Sequence, residues 1–160
     1  MITRTPMLLA LIFLIASIAA CGPNAASVRK EAQANADKYF EFVKAGNLEG
    51  AYRNTFSANY KGQLDLETYT RFQQALTAQA GDIENYSAAD NPKIDLDRHT
   101  VGFVYSVKTT KMATTLDFDV RMVQEGSEWR IDALDPKFSK VAAPEPNTKL
   151  PQKQPAPAKP

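Results

Sequence analysis

The spacing of apolar residues changes once along this chain of 160 residues, and that change limits the fold more than any other feature. From Val28 to Gly81 apolar side chains recur every three or four positions, which is typical of amphipathic helices. Beyond Asp82 they alternate with polar side chains, which is typical of strands with one covered face. Helices followed by strands predict an α+β domain, with the helices packed on one face of an antiparallel sheet.

Three helices are predicted, and each has recognisable start or stop residues. Ser27, Asn47 and Asp65 are residue types that cap helix amino termini, while Gly46 and Gly81 are suited to end the first and third helices. The predicted helices cover about 28–45, 48–54 and 66–80. The apolar faces of the first and third carry Val28, Ala32, Ala36, Tyr39, Phe40 and Val43, then Leu66, Tyr69, Phe72, Leu76 and Ala80.

The alternating part of the chain predicts three long strands and two weaker ones. The long strands cover 101–108, 116–123 and 129–134, and the weaker ones cover 83–86 and 94–96. Asn91-Pro92 separates the two weak strands. Gln124–Ser127 and Thr109–Met112 are predicted as the turns that connect the long strands.

The amino-terminal 20 residues have the pattern of a secretory signal. Arg4 is their only charged residue, and Met7–Ala20 is apolar except for one serine. This apolar run has 14 residues, whereas a membrane-spanning helix needs roughly 17 to 25. A membrane-spanning anchor or a buried helix is the alternative interpretation. The run ends at Ile18-Ala19-Ala20-Cys21, which resembles the lipobox of bacterial lipoproteins and contains the only cysteine of the chain.

The resemblance implies that residues 1–20 are removed and that the Cys21 thiol carries a diacylglycerol group, usually with palmitate on the new amino terminus. Two or more acyl chains, at about 0.8 kcal/mol per buried methylene, attach a protein stably to a bilayer. Gly22 stands where Asp signals inner-membrane retention in Gram-negative lipoproteins. The resemblance therefore implies a lipid-anchored protein of the cell envelope, at the periplasmic face of the outer membrane if the organism is Gram-negative.

The rest of the chain divides into three parts by composition. Residues 21–26 form a short tether of small side chains, and residues 27–138 form a single domain. Residues 139–160 contain Pro and Lys and almost no large apolar side chain, so they are predicted to be a disordered tail with polyproline character. Contacts between the tail lysines and anionic cell-wall or lipid groups are an alternative to a solvated terminus.

The order of elements also resembles the NTF2-like, cystatin-like cone fold of many small secreted bacterial domains. Three features carry the resemblance: the aromatic pair in Tyr39–Phe42, the break at Gly46-Asn47 before Leu48–Tyr52, and the closing strand Glu128–Asp132. The resemblance covers about 28–136 and implies a curved sheet with the helices on one face. An unrelated arrangement of helices and a strand meander is the alternative.

Composition argues against nucleic-acid binding and excludes an internal disulfide. Removal of residues 1–20 takes away one basic residue, Arg4, which leaves 18 basic and 18 acidic residues and no net charge. Nucleic-acid binding usually requires a basic patch, so it is not predicted. A single cysteine cannot form an internal disulfide, and the domain must therefore depend on its apolar core.

The sequence offers little support for a metal or a cofactor. A zinc site needs three or four His, Cys or carboxylate ligands, but the domain has one histidine and no free thiol. The carboxylates of Asp95 and Asp97, and of Asp117 and Asp119, would lie about 7 Å apart on one side of a strand, given the rise of about 3.3 Å per residue. Calcium could use such pairs, but a solvated face is the preferred interpretation. The common hydrolase and nucleotide-binding motifs are absent from the sequence.

His99 and Asp97 are the only candidates for catalytic residues, and they are weak ones. NTF2-like enzymes often place an Asp and a His inside the cone to move a proton next to a carbonyl. These two residues lie between predicted strands, however, and residues two apart on a turn seldom point together into a cavity. An exposed histidine on a turn is the preferred interpretation.

A ligand pocket inside the cone is the second kind of site that the sequence allows. Tyr39, Tyr69, Tyr105 and Trp129 fall on predicted inward faces, where they could line a pocket for a small apolar ligand. They could instead simply fill the interior, since protein cores are normally packed without large voids. Filling is the preferred interpretation.

We therefore expect an envelope lipoprotein whose domain binds a ligand or a protein partner without catalysis. A small lyase or isomerase that uses Asp97 and His99 is one alternative. An immunity or inhibitor lipoprotein, which neutralises a toxin or a lytic enzyme in the envelope, is another.

Overall fold

The computed structural model describes residues 24–137, which form four helices and five strands. The helices are α1 Ala25–Lys44, α2 Leu48–Thr55, α3 Ala58–Gln63 and α4 Leu66–Ala80. The strands are β1 Ile83–Ala88, β2 Lys93–Asp95, β3 Thr100–Thr109, β4 Leu116–Glu125 and β5 Glu128–Lys137. The predicted signal peptide, the predicted lipidation site Cys21 and the predicted tail lie outside the described residues. None of the four helices is long and apolar enough to cross a membrane.

The strands form one antiparallel sheet in the order β1-β3-β4-β5, and β2 pairs with β3 beside the end of β1. A register shift between Arg121 and Met122 interrupts the pairing of β4 with β5, and such bulges bend and twist a strand. The helices precede the strands and contact one face of this curved sheet. The predicted α+β architecture is therefore confirmed, and it is consistent with an NTF2-like cone.

The apolar core lies between the helices and the inner face of the sheet. Alternate residues of β3 and β4 point inward and are buried, while most residues between them are partly or fully exposed. Aromatic side chains contribute much of this core: Tyr39, Phe40, Phe56, Tyr69, Phe103, Tyr105, Phe118 and Trp129 are all buried. This burial is the main stabilising contribution available to a domain without disulfides.

Two of the three amino-terminal helix caps predicted from the sequence are confirmed. Asn47 and Asp65 accept hydrogen bonds from the backbone N–H groups of the residues three positions later, as predicted for amino-terminal caps. The first helix differs, because Asn24 rather than Ser27 is its cap, and the Ser27 N–H donates to the Asn24 side chain at 2.8 Å. Helix α1 thus begins inside the segment that was predicted to be a tether.

Helix α3 was not predicted from the sequence. It has six residues, none of which is buried, so it shows no apolar periodicity. Ser57 caps it, and the Ser57 N–H donates to the Ile131 carbonyl at 2.9 Å. This short helix therefore closes the edge of β5 beside Phe56, which forms an isolated parallel bridge with Ile131.

Of the two turns predicted between the long strands, one is confirmed and the other is longer than predicted. Gly126 and Ser127 form a two-residue hairpin turn between β4 and β5, and the φ of 64° at Gly126 explains the glycine. The connection between β3 and β4 is longer than the predicted turn at Thr109–Met112, since it extends from Thr110 to Thr115. Strand β3 continues through Thr109, which is buried and pairs with Ile83 of β1.

The domain has two ends that differ in the elements they contain. Arg29 near the start of α1 lies 4.0 Å from Asp90 after β1, whereas Lys44 at the end of α1 donates to the Glu84 carbonyl near the start of β1 at 3.0 Å. Helix α1 is therefore antiparallel to β1 and runs in the same direction as β3 and β5. We call the end at the start of α1 the amino end, and the end at Lys137 the carboxyl end.

Candidate functional site

The weak catalytic candidates lie on an exposed turn between β2 and β3. Asp97 and His99 are both exposed, and His99 has a left-handed backbone with φ of 50°. The His99 carbonyl accepts from the Gln124 N–H at 3.1 Å, and the Arg98 N–H donates to the Asp95 carboxylate at 3.0 Å. These bonds fix the turn at the amino end of the sheet, and neither side chain lies among the buried residues of the core.

The predicted pocket residues are all buried, but they are distributed through a well-filled interior. Tyr69 and Tyr105 are fully buried, Tyr39 is 1% exposed, and Trp129 is 5% exposed. The Phe40 ring lies 4.6 Å from that of Tyr105 between ring centres, and Tyr39 contacts Phe40 edge to face. Aromatic rings therefore occupy the space that a ligand in the cone would need.

A small cavity of about 20 Å³ lies between α1, α4 and the sheet. That volume is enough for about one water molecule. Its walls include Tyr39, Gln73, Thr77 and Thr109 among mostly apolar side chains. The buried Thr109 hydroxyl has no hydrogen-bond partner among residues 24–137, so the cavity wall includes a polar residue that a water could satisfy.

Gln73 is the buried polar residue that sequence reasoning missed. It is 2% exposed, and its side-chain amide donates to the Tyr39 hydroxyl at 2.8 Å. The Tyr69 hydroxyl is also buried, and it has no hydrogen-bond partner in the described part of the chain. Burial raises the pKa of both tyrosines well above the ordinary value, so both hydroxyls stay protonated.

The sequence placed Phe72, not Gln73, on the inner face of α4, and this was wrong. Phe72 is 39% exposed, and the buried face of α4 contains Tyr69, Gln73 and Ala80. Gln73 lies four residues after Tyr69 and three before Leu76, which is the spacing of that face. Its position could have been recognised from spacing, although its residue type points to the surface.

Two tyrosines from the sheet bond to carboxylates on α1. The Tyr105 hydroxyl donates to Asp37 at 2.6 Å, and the Tyr86 hydroxyl donates to Glu41 at 2.5 Å. Burial, followed by these carboxylates, raises the pKa of both tyrosines. The two bonds attach α1 to the sheet, and they give Tyr105 a structural role in addition to its packing.

A large and mainly apolar groove lies on the outer face of the sheet, on the side away from the helices. This outer groove has a volume of about 570 Å³ and crosses β2, β3, β4 and β5. Gly102, Val104 and Ala133 contribute to its floor, and Val104 is 45% exposed. Charged residues border it, among them Lys93 and Arg121 at one level and Asp119 and Asp135 at the next.

A second groove, of about 610 Å³, lies between α1 and the β4–β5 hairpin, and it is more polar. Glu31, Lys38, Asn54 and Arg130 line it, with the largely buried Trp129 at its base. Arg130 is bonded to the Asn54 carbonyl and to Glu128. Both large concave surfaces are thus open to solvent, in contrast to the small interior cavity.

In each carboxylate pair considered for calcium, at least one carboxylate already contacts another side chain of the protein. Asp117 accepts from the Ser106 hydroxyl at 2.7 Å, and Asp119 lies 3.4 Å from the Lys137 ammonium. Asp95 lies 3.7 Å from the Arg98 guanidinium. Within residues 24–137, no group of three His, Cys, Asp or Glu side chains is arranged to hold a metal ion.

This chain matches no family model, and no curated protein sequence is significantly similar to it.

Proposed function

We propose that this protein is a lipid-anchored envelope lipoprotein whose domain binds a partner at its surface without catalysis. The lipobox-like tetrapeptide Ile18–Cys21 supports the anchor, and Gly22 after it favours the outer membrane if the organism is Gram-negative. The short distance from Cys21 to the start of α1 fits an anchored domain, because only Gly22 and Pro23 intervene before Asn24.

One observation supports surface binding more than any other. The interior cavity beside Gln73 holds about 20 Å³, whereas the outer groove around Val104 offers about 570 Å³. Ligand pockets for small molecules usually have about 300 to 1,000 Å³. We therefore favour a partner that contacts the outer groove over an apolar ligand enclosed by Tyr39, Tyr69 and Tyr105.

The alternatives from another class have less support. A lyase or isomerase would need Asp97 and His99 beside a substrate cavity, but both lie on the exposed β2–β3 turn. An immunity or inhibitor lipoprotein is a form of the same proposal, in which the partner is a toxin or a lytic enzyme.

Lipidation is tested by growing cells with an alkyne analogue of palmitate. We expect the full-length protein to incorporate the analogue, to start at Cys21 by mass spectrometry, and to fractionate with membranes. The Cys21→Ser variant should lose all three properties. A wild-type protein that retains residues 1–20 and no acyl group would overturn the anchor.

Surface binding is tested with matched substitutions in the lipidated protein. Val104→Lys changes the floor of the outer groove, whereas Phe72→Lys changes a residue of similar exposure on α4 (45% and 39%). We expect a partner crosslinked at the membrane to be lost with Val104→Lys and kept with Phe72→Lys. Equal capture by both variants would exclude the outer groove as the binding surface.

The absence of catalysis is tested separately. Turnover of carbonyl or ester substrates that disappears with His99→Ala would refute the non-catalytic role.

A further inference from the structure

We propose that the β2–β3 turn, Leu96–His99, is a second membrane contact, which lies on the headgroup region of the bilayer that anchors the protein. The inference depends on the lipidation of Cys21 in the proposed function. It assigns a specific surface and orientation to the domain, which the anchor alone does not determine.

The chain between the anchor and the domain is too short to let the amino end leave the bilayer. Three peptide steps separate Cys21 from Asn24, the cap of α1. An extended chain spans at most about 3.6 Å per residue, so this connection reaches only about 11 Å. Whatever surrounds the start of α1 is therefore held close to the lipid headgroups.

The topology places the β2–β3 turn at the amino end. Arg29 on the second turn of α1 lies beside Asp90, after the end of β1. After Asp90 the chain forms β2, which is antiparallel to β3 and therefore continues in the direction of β1. Lys93 pairs with Gly102, and Asp95 pairs with Thr100. The turn Leu96–His99 follows at the end of these strands, beyond the level of Asp90.

Two side chains of the turn, Leu96 and Arg98, suit a bilayer surface. Leu96 is 45% exposed, which is unusual among the large apolar residues of the described domain. The side chain of Arg98 is 83% exposed, its guanidinium lies 3.7 Å from the Asp95 carboxylate, and Asp97 between Leu96 and Arg98 is exposed as well. An apolar side chain can enter the boundary between headgroups and acyl chains, while a guanidinium binds lipid phosphate.

The turn is also held in one conformation before any contact. The Arg98 N–H bonds to the Asp95 side chain, and the Gln124 N–H bonds to the His99 carbonyl. The left-handed backbone of His99 belongs to this tight conformation. Little conformational entropy would therefore be lost when Leu96 meets the bilayer.

Two labelled variants of the full-length lipidated protein test this orientation. Thioether-linked Cys21 does not react with thiol reagents, so a cysteine introduced as Leu96→Cys can carry a single environment-sensitive fluorophore. Thr114→Cys, in the exposed β3–β4 loop at the carboxyl end, is the matched control. The two ends are about 30 Å apart, the length of a 20-residue helix such as α1. The probe is a phospholipid vesicle whose headgroups carry a nitroxide quencher.

We expect strong quenching and a blue shift of the label at position 96, and neither effect at position 114. If the lipidated protein binds vesicles but both labels are quenched equally, or only the label at 114, the orientation is wrong and the anchor stands. If the purified protein does not bind vesicles more than Cys21→Ser does, both the anchor and the membrane contact are refuted. Unchanged circular dichroism of the labelled variants serves as the control for folding.

Discussion

At the scale of single residues, Gln73 and Tyr39 form a hydrogen-bonded polar pair inside the apolar core. The Gln73 amide is buried, and its bond to the Tyr39 hydroxyl satisfies one polar group on each side chain. A buried polar group that loses its partner costs about 1 to 3 kcal/mol, whereas replacing both partners by apolar groups of similar shape can be almost neutral. The pair therefore responds differently to single and double substitution.

Gln73→Leu should lower the free energy of unfolding by about 1 to 3 kcal/mol, because it leaves the Tyr39 hydroxyl buried without this donor. Tyr39→Phe should also destabilise the protein by leaving the amide unpaired. The double variant should be more stable than the sum of the two losses predicts, as measured by urea unfolding. Strict additivity of the two changes would show that the bond is not formed.

Asp132 should make stability depend on acid pH. Its partial burial alone would raise the pKa, but hydrogen bonds from Asn59, Arg121 and Ser57 outweigh that effect and lower it. The ionised Asp132 carboxylate stabilises the folded state fully above the pKa of an unfolded aspartate, near 3.9. This stabilisation is lost as the pH falls through the lower pKa of Asp132 in the folded protein. Asp132→Asn should therefore cost about 1 to 2 kcal/mol at pH 7 and much less below the folded pKa.

Asp135→Asn is the matched control for this pH dependence. Asp135 lies on the same strand, and its side chain is 60% exposed beside Lys137. Exposed ion pairs contribute roughly 0 to 1 kcal/mol, so this variant should unfold almost like the wild type at every pH. An equal pH dependence of the two variants would contradict the role assigned to Asp132.

At the scale of secondary-structure elements, the junction between α4 and β1 allows little variation. Gly81 has φ of 88° and ψ of −175°, a backbone region that is essentially restricted to glycine. A Cβ atom there would lie 2.2 Å from the Thr110 hydroxyl and 2.8 Å from the Lys111 nitrogen. The β3–β4 loop therefore packs directly on the backbone of this junction.

Gly81→Ala should destabilise the domain by about 3 kcal/mol or more, because backbone strain and a steric clash act together. Gly46→Ala is the matched control, since Gly46 has φ of 72° but open space around its Cβ position. It should cost only about 1 to 2 kcal/mol, the strain of the left-handed region. Thermal unfolding of both variants measures the difference.

The sequence predicted the long elements well because their apolar spacing is regular. It missed α3, which buries no residue, and it placed the cap of α1 at Ser27 because several candidate capping residues precede that helix. It also missed Gln73, since a polar residue type gives no apolar signal at a buried position. The outer groove combines side chains from four strands, so its residues could not be grouped before the strand order was known.

At the scale of the whole molecule, the helices and the sheet share one apolar core. Trp129, the only tryptophan, belongs to that core and is 5% exposed. Its fluorescence should be blue-shifted and poorly quenched by acrylamide in the folded protein. Because a single core favours two-state unfolding, the fluorescence transition in urea should coincide with loss of the helical circular dichroism signal. Two separate transitions would show that α1–α4 and the sheet unfold independently.

The common direction of α1 and β5 has a mechanical consequence. Because α1 starts at the amino end and β5 finishes at the carboxyl end, tension between these two points acts along the strands. Strand β5 pairs with β4 from Glu128 to Lys137, and such a load stretches these hydrogen bonds together in shear. Bonds loaded in parallel resist force better than bonds that open one after another. The domain should therefore resist a pull along its strands better than a pull across them.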